Sequence, residues 1–148
     1  MSDNPECKTY ITIWPECDMD KCRDAIRKGE DFSPEDVGIL NKKEIEKFLI
    51  DEFSVVPIWE KHHFIIGYND NYDEDVNNMI RVTLNALLGK EEKLKQMQER
   101  FSVHIILEIV PYIPYRSREP NQILSLEKDI ISFLYETNIE MDIDYYIV

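Results

Sequence analysis

His104 and Glu108 stand four residues apart in one alternating run, and Asp142, Asp144 and Tyr146 follow one another at every second position in a later run. On a β-strand such spacings put side chains on one face. Were the two runs neighbouring strands, an imidazole and three carboxylates would share one side of a sheet. Proton transfer is the chemistry open to such a group, because a nearby carboxylate raises the pKa of histidine toward neutrality or above. The set lacks a nucleophile paired with an oriented base. The chain has only four glycines, and none falls into a dinucleotide fingerprint or a phosphate-binding loop. These residues therefore read as a solvated sheet face used for binding, with no catalytic residue assigned.

Cys17 and Cys22, with His62 and His63, come nearest to a metal set. Structural zinc sites use ligand pairs two to four residues apart, clipped by a tight turn. The cysteine spacing here is longer and straddles the start of a helix. Adjacent histidines on a strand point to opposite faces, so one of them at most could join. The expectation is two half-buried thiols, a surface histidine, no metal and no cofactor.

Trp14, Trp59, Tyr68, Tyr112, Tyr115, Tyr145 and Tyr146 are many large aromatics for this length. Most belong to the core. Any that reach an open face bring large contact area at low entropic cost and suit a binding hot spot.

The elements that must position these residues follow from periodicity. Lys8 to Trp14 alternates and reads as a first strand, closed by Pro15. Asp18 to Lys28 forms a short helix with Met19, Cys22 and Ile26 on one face, stopped by Gly29. Ser33-Pro34-Glu35-Asp36 carries a cap, a first-turn proline and acids near the positive helix end. Asn41 and Glu44 resemble a capping box ahead of the Ile45, Phe48 and Leu49 stripe. Pro57 weakens the start of the stretch from Val55, leaving Trp59 to Tyr68 as the better strand. A helix from about Asp75 to Leu88 buries Val76, Ile80, Thr83, Leu84 and Leu87, and helical spacing resumes from Glu91 to Arg100 after Gly89. Phe101 to Tyr112 is the clearest strand, with Val103, Ile105, Leu107 and Ile109 opposite His104 and Glu108. Pro111, Pro114 and Pro120 bracket a loop bearing Arg116 and Arg118.

The final stretch organises the rest. Ser125 suits an N-cap, and Leu126, Ile130, Phe133 and Leu134 form a helical stripe widened by Ile131. Asn138 is a left-handed stop, after which the period changes to two. Met141, Ile143, Tyr145 and Ile147 then face the core from one strand, with Ile143 and Ile147 under the helix of Ile130 and Leu134. The implied fold is α+β: a two-layer sandwich with a mostly antiparallel sheet of at least four strands, helices on one face, ferredoxin-like in spirit. Residues 1–148 suit one domain with a loose start over 1–7.

The helix, turn and acidic-apolar strand at this end, ISFLYETNIEMDIDYYIV, resemble the bacterial family called domain of unknown function 4279. So do the run from Trp59 through Gly67-Tyr68 and the strand at Val103–Ile109. The resemblance covers roughly the last ninety residues. Members end in a D-x-D-x-Y strand, here Asp142, Asp144 and Tyr146. It implies a fold and a bacterial, cytosolic origin, and carries no catalytic residues.

Seventeen basic against thirty acidic residues give a formal charge of −13. A field of that sign repels nucleic acid and anionic membranes and attracts basic proteins. No apolar run is long enough to span a membrane and no hydrophobic signal segment follows Met1, so the cytoplasm is the expected location. Three cysteines near one end form no disulfide framework. The functional expectation is a non-enzymatic acidic binding module, in its sharpest form an immunity protein against a basic toxin. Its alternatives are a small hydrolase or metal-dependent enzyme on the open sheet face, and a subunit dimerising through an edge strand. Oligomeric state is not encoded in any pattern of the sequence.

Overall fold

The computed structural model describes residues 6–29, 33–113 and 125–147, so Tyr115 and the expected loop of Arg116 and Arg118 lie outside the described residues. Strands β1 (Glu6–Trp14), β2 (Ile58–Glu60), β3 (His63–Asn69), β4 (His104–Ile113), β5 (Glu140–Ile143) and β6 (Tyr146–Ile147) form one sheet. Its order is β2-β3-β1-β4-β5, and β6 follows β5 along the same edge of β4. Pairings among β1 to β4 are antiparallel, while β5 and β6 run parallel to β4. The α+β, mostly antiparallel architecture read from the sequence is the one observed.

Among the described residues five α-helices, α1 (Met19–Lys28), α2 (Lys42–Phe53), α3 (Val76–Leu84), α4 (Glu91–Phe101) and α5 (Lys128–Thr137), accompany a 3-10 turn at Pro34–Val37. Alternation divides the sheet cleanly. Ile11 and Ile13 of β1, Phe64 and Ile66 of β3, and Leu107 and Ile109 of β4 enter one core with Leu49, Ile80, Leu94 and Ile130 from the helices. A smaller cluster of Cys22, Val37 and Ile39 adjoins it through Trp59. Every second strand residue points the other way, to a face that no helix among the described residues covers.

Several local expectations give way to tertiary contacts. Trp59 to Tyr68 is a hairpin and not one strand: Lys61, at φ 53°, turns the chain between β2 and β3. Phe101 ends α4, Ser102 takes a left-handed conformation at φ 52°, and β4 starts only at His104. Helix α3 stops at Leu84, although Leu87 in the following turn is buried as expected. Asn41 makes no capping bond to its own helix, and its Nδ2 instead donates to the Phe101 carbonyl at 3.4 Å. Nor does Ser125 cap α5. That helix starts at Lys128, and the Glu127 N–H donates to Oδ1 of Asn77 on α3 at 2.9 Å. Met19, Ile26 and Ile131 are exposed, leaving Cys22 as the buried residue of α1 and narrowing the stripe of α5.

The last strand also departs from expectation. It is interrupted at Asp144 and Tyr145, and only Ile143 packs against the core, while Ile147 is 72% exposed. Ile147 pairs with Ile113 at the far end of β4, where it makes no part of the core under α5. The interruption leaves the register intact: Glu108 pairs with Asp142, and four residues on Tyr112 pairs with Tyr146.

Candidate functional site on the uncovered sheet face

Three strands build the surface. β1 contributes Lys8, Tyr10, Thr12 and Trp14, the half of its alternation opposite Ile11 and Ile13. β4 contributes Glu108, Val110 and Tyr112. Beside them on the β5–β6 edge lie Asp142, Asp144 and Tyr146. The Asp144 N–H donates to the Ile109 carbonyl at 2.9 Å, which holds the interrupted strand against β4. In turn, the Tyr146 hydroxyl donates to the Asp144 carboxylate at 3.1 Å, and its ring stacks on Tyr112 with centroids 5.5 Å apart. The site expected from sequence thus has Glu108, Asp142, Asp144 and Tyr146 assembled in one place.

His104 lies apart from them. It sits opposite Trp14, before the pairing with β5 begins at Ile106. At about 3.3 Å per residue it is roughly 13 Å along the strand from Glu108.

Glu108 and Asp142 are direct cross-strand neighbours. Partial burial first, then hydrogen bonding and charge repulsion from Asp142, push the Glu108 carboxyl up to about 7. A group of like charges on one face favours keeping one proton between them. The Thr12 hydroxyl donates to Glu108 Oε1 at 3.2 Å, and Trp14 Nε1–H donates to Thr12 Oγ1 at 2.8 Å. This relay fixes the Glu108 side chain from the β1 side. The contact with Asp144 pushes the Tyr146 phenol up, and burial does the same for Tyr10, so both rings keep their hydroxyl protons at neutral pH.

Beside the acid pair lies a groove of about 250 Å³ with Ile65 and Val110 in its lining and four tyrosines, 10, 68, 112 and 146, around it. Tyr68 reaches it through a β-bulge. Phe64 and Ile66 face the core, and strict alternation would send Tyr68 after them. Between Thr9–Asn69 and Ile11–Ile66 the pairing shifts register, and Gly67, at φ 65°, takes up the extra residue. Tyr68 is thereby turned outward, where its ring lies 6.0 Å from that of Tyr10. A side chain at position 67 has no room, since a Cβ there would stand 2.5 Å from the Thr83 carbonyl oxygen of α3. Lys8 extends over this groove, its Nζ 5.1 Å from the centroid of Tyr112. Contact with the Tyr112 hydroxyl raises the Lys8 pKa. Sequence reading named Tyr68 and Tyr112 as possible surface aromatics but missed Lys8, Tyr10 and Thr12 as members of the site. The signal for those three was their place opposite the apolar half of β1.

The two histidines differ from expectation. His62 belongs to the turn and only His63 to β3, so strand alternation does not separate them, and their Nδ1 atoms lie 3.2 Å apart. Both rings pack on Trp14, His63 in a stack at 4.3 Å. Burial lowers both pKa values. The Cys17 and Cys22 thiols lie 2.8 Å apart at the start of α1, and burial and the neighbouring thiol push Cys22 up to about 12. Among the described residues no three His, Cys, Asp or Glu side chains converge as a metal-ligand set, and no helix is long and apolar enough to cross a membrane.

The fold and this surface define an α+β protein whose helices cover one side of a sheet and whose other side carries carboxylates and tyrosines. Sequence comparison agrees with the resemblance at the C-terminal end and extends it. The chain belongs to the family described as Domain of unknown function (DUF4279), whose profile matches residues 25–148, from the middle of α1 onward. No curated protein and no solved structure matches the chain.

Proposed function

We propose that the protein is a non-enzymatic binding module of the bacterial cytoplasm that captures a basic protein on the uncovered sheet face, as an immunity protein captures a basic toxin. The observation that carries this reading is the row of Glu108, Asp142 and Asp144 beside the tyrosine groove, on the one sheet face that the described helices leave free. Aromatic rings supply contact area and carboxylates supply charge complementarity, a combination suited to a basic partner and unsuited to nucleic acid. The net charge of −13 adds long-range steering.

The test first asks whether a gene beside this chain's encodes a basic protein, and takes such a protein as the partner. Its association rate should fall steeply between low and physiological salt. Asp142→Asn with Asp144→Asn should leave the melting temperature near that of the parent and weaken binding by about tenfold or more. Affinity indifferent to both salt and the double substitution overturns the reading.

One observation favours a second reading. A carboxyl pushed up to about 7, beside a second carboxylate and a groove, is matched to general acid–base work near neutral pH. On that reading the protein is a small hydrolase. Any hydrolytic activity found should then vanish in Glu108→Gln with the fold retained.

A further inference from the structure

The groove on the uncovered face carries a cation in its wall, and that cation belongs to the chain itself. Lys8 projects from β1 with its ammonium over the Tyr112 ring at 5.1 Å, within the range at which a cation is attracted to the face of an aromatic ring. Interaction with the Tyr112 hydroxyl, and more weakly with that of Tyr68, raises the Lys8 pKa. Tyr10, across from Tyr68, and Tyr146, stacked on Tyr112, complete the aromatic walls. Asp144 and Glu108 supply acidic groups at the rim. Face-on rings, phenol oxygens able to accept N–H donors, and nearby carboxylates are what an alkylammonium group requires. With Lys8 in its wall the groove still leaves about 250 Å³ open, room for a second alkylammonium chain, and two ammonium groups on one ring would repel each other.

We propose that this groove is a receptor for the primary ammonium of a lysine side chain on a basic partner, and that Lys8 is its tethered occupant, displaced when the partner binds. The proposal rests on the capture of a basic protein and names the contact that makes the capture specific. A tethered group competes at an effective concentration of the order of millimolar or more, so an incoming lysine without other contacts binds poorly. A partner that also engages Asp142 and Asp144 overcomes this competition.

n-Butylammonium, a lysine side chain without its backbone, is the probe, and the tyrosine ring signals in NMR are the readout. Lys8→Thr removes the chain's own ammonium from the groove while keeping a strong strand former in β1. Its affinity for n-butylammonium should exceed that of the parent by about tenfold or more. Butan-1-ol, which has the shape without the charge, should not bind, and adding Tyr112→Leu should abolish the gain. Equal affinities in parent and variant overturn the proposal, as does binding of butan-1-ol as tightly as of the cation. The parent protein provides a second readout that does not depend on the variant folding. Saturating n-butylammonium should move the Lys8 side-chain signals toward those of a solvated lysine, and unmoved Lys8 signals overturn displacement. No partner protein enters these measurements, so their failure is distinct from failure of the salt and Asp142/Asp144 test.

Discussion

Glu108 and Asp142 stand side by side on parallel neighbouring strands, two carboxyl groups brought together by residues 34 positions apart in sequence and placed on the uncovered face of the sheet. Partial burial, and after it the neighbouring Asp142, lets Glu108 hold a proton to about pH 7, whereas an unfolded chain releases it near 4.5. Between those values the folded state binds more protons than the unfolded one, so this pair makes stability fall as pH rises. Solvent screening at a partly exposed site brings the effect to about 1–2 kcal/mol. Melting temperatures of the parent and Glu108→Gln should therefore diverge with pH. The variant should be the more stable at pH 8 and lose that advantage at pH 4.5. Parallel curves for the two proteins would mean that Glu108 titrates as in the unfolded chain.

The interruption of the last strand gives an unequal pair of substitutions. Leu107 is fully buried at the centre of the sheet, and Leu107→Ala should cost about 2–5 kcal/mol. Ile147 is 72% exposed, and Ile147→Ala should stay within about 0.5 kcal/mol of the parent. Urea unfolding measures both. A large loss at Ile147 would restore the unbroken strand under α5.

Gly67 should be irreplaceable by alanine. Its φ of 65° is strained for a residue with a side chain, and the new Cβ would meet the Thr83 carbonyl at 2.5 Å. Gly29→Ala shares the left-handed φ but meets nothing within 4 Å. Chemical denaturation should find Gly67→Ala worse by about 2 kcal/mol or more than Gly29→Ala, whose cost is about 1 kcal/mol. Similar losses at the two positions would mean that α3 does not press on the bulge.

Cys22 should be a slow thiol. At about 12 against an ordinary 9.0, its thiolate is about a thousandfold scarcer near pH 8. Alkylation followed by peptide mass spectrometry should label Cys22 rapidly in urea and barely at all in the native protein. Fast native labelling would place Cys22 outside the buried cluster of Val37 and Ile39.

Periodicity by itself determined which side of a strand most residues face. The alternation of Ile105, Leu107 and Ile109 against Glu108, and of Ile143 against Asp142 and Asp144, is written in consecutive residues and needs no knowledge of neighbours. The stop at Asn138 was equally local, because a left-handed residue after an apolar stripe ends a helix in any context. Tertiary structure decided what depended on residues distant in the chain. Helix α5 takes its cap from Asn77 and not from Ser125, since a buried amide fixed by α3 offers a better-placed acceptor than a flexible local hydroxyl. Tyr68 faces outward only because α3 approaches β3 closely enough to demand a glycine bulge at position 67. The hairpin at Lys61 and His62 broke one apparent strand into two and put both histidines on Trp14. Above all, no pattern within β4 or β5 says that they pair, or in which register. The raised pKa of Glu108 and the groove around Lys8 depend on that pairing, because charge coupling and cavity shape follow distances across strands and not spacing along them.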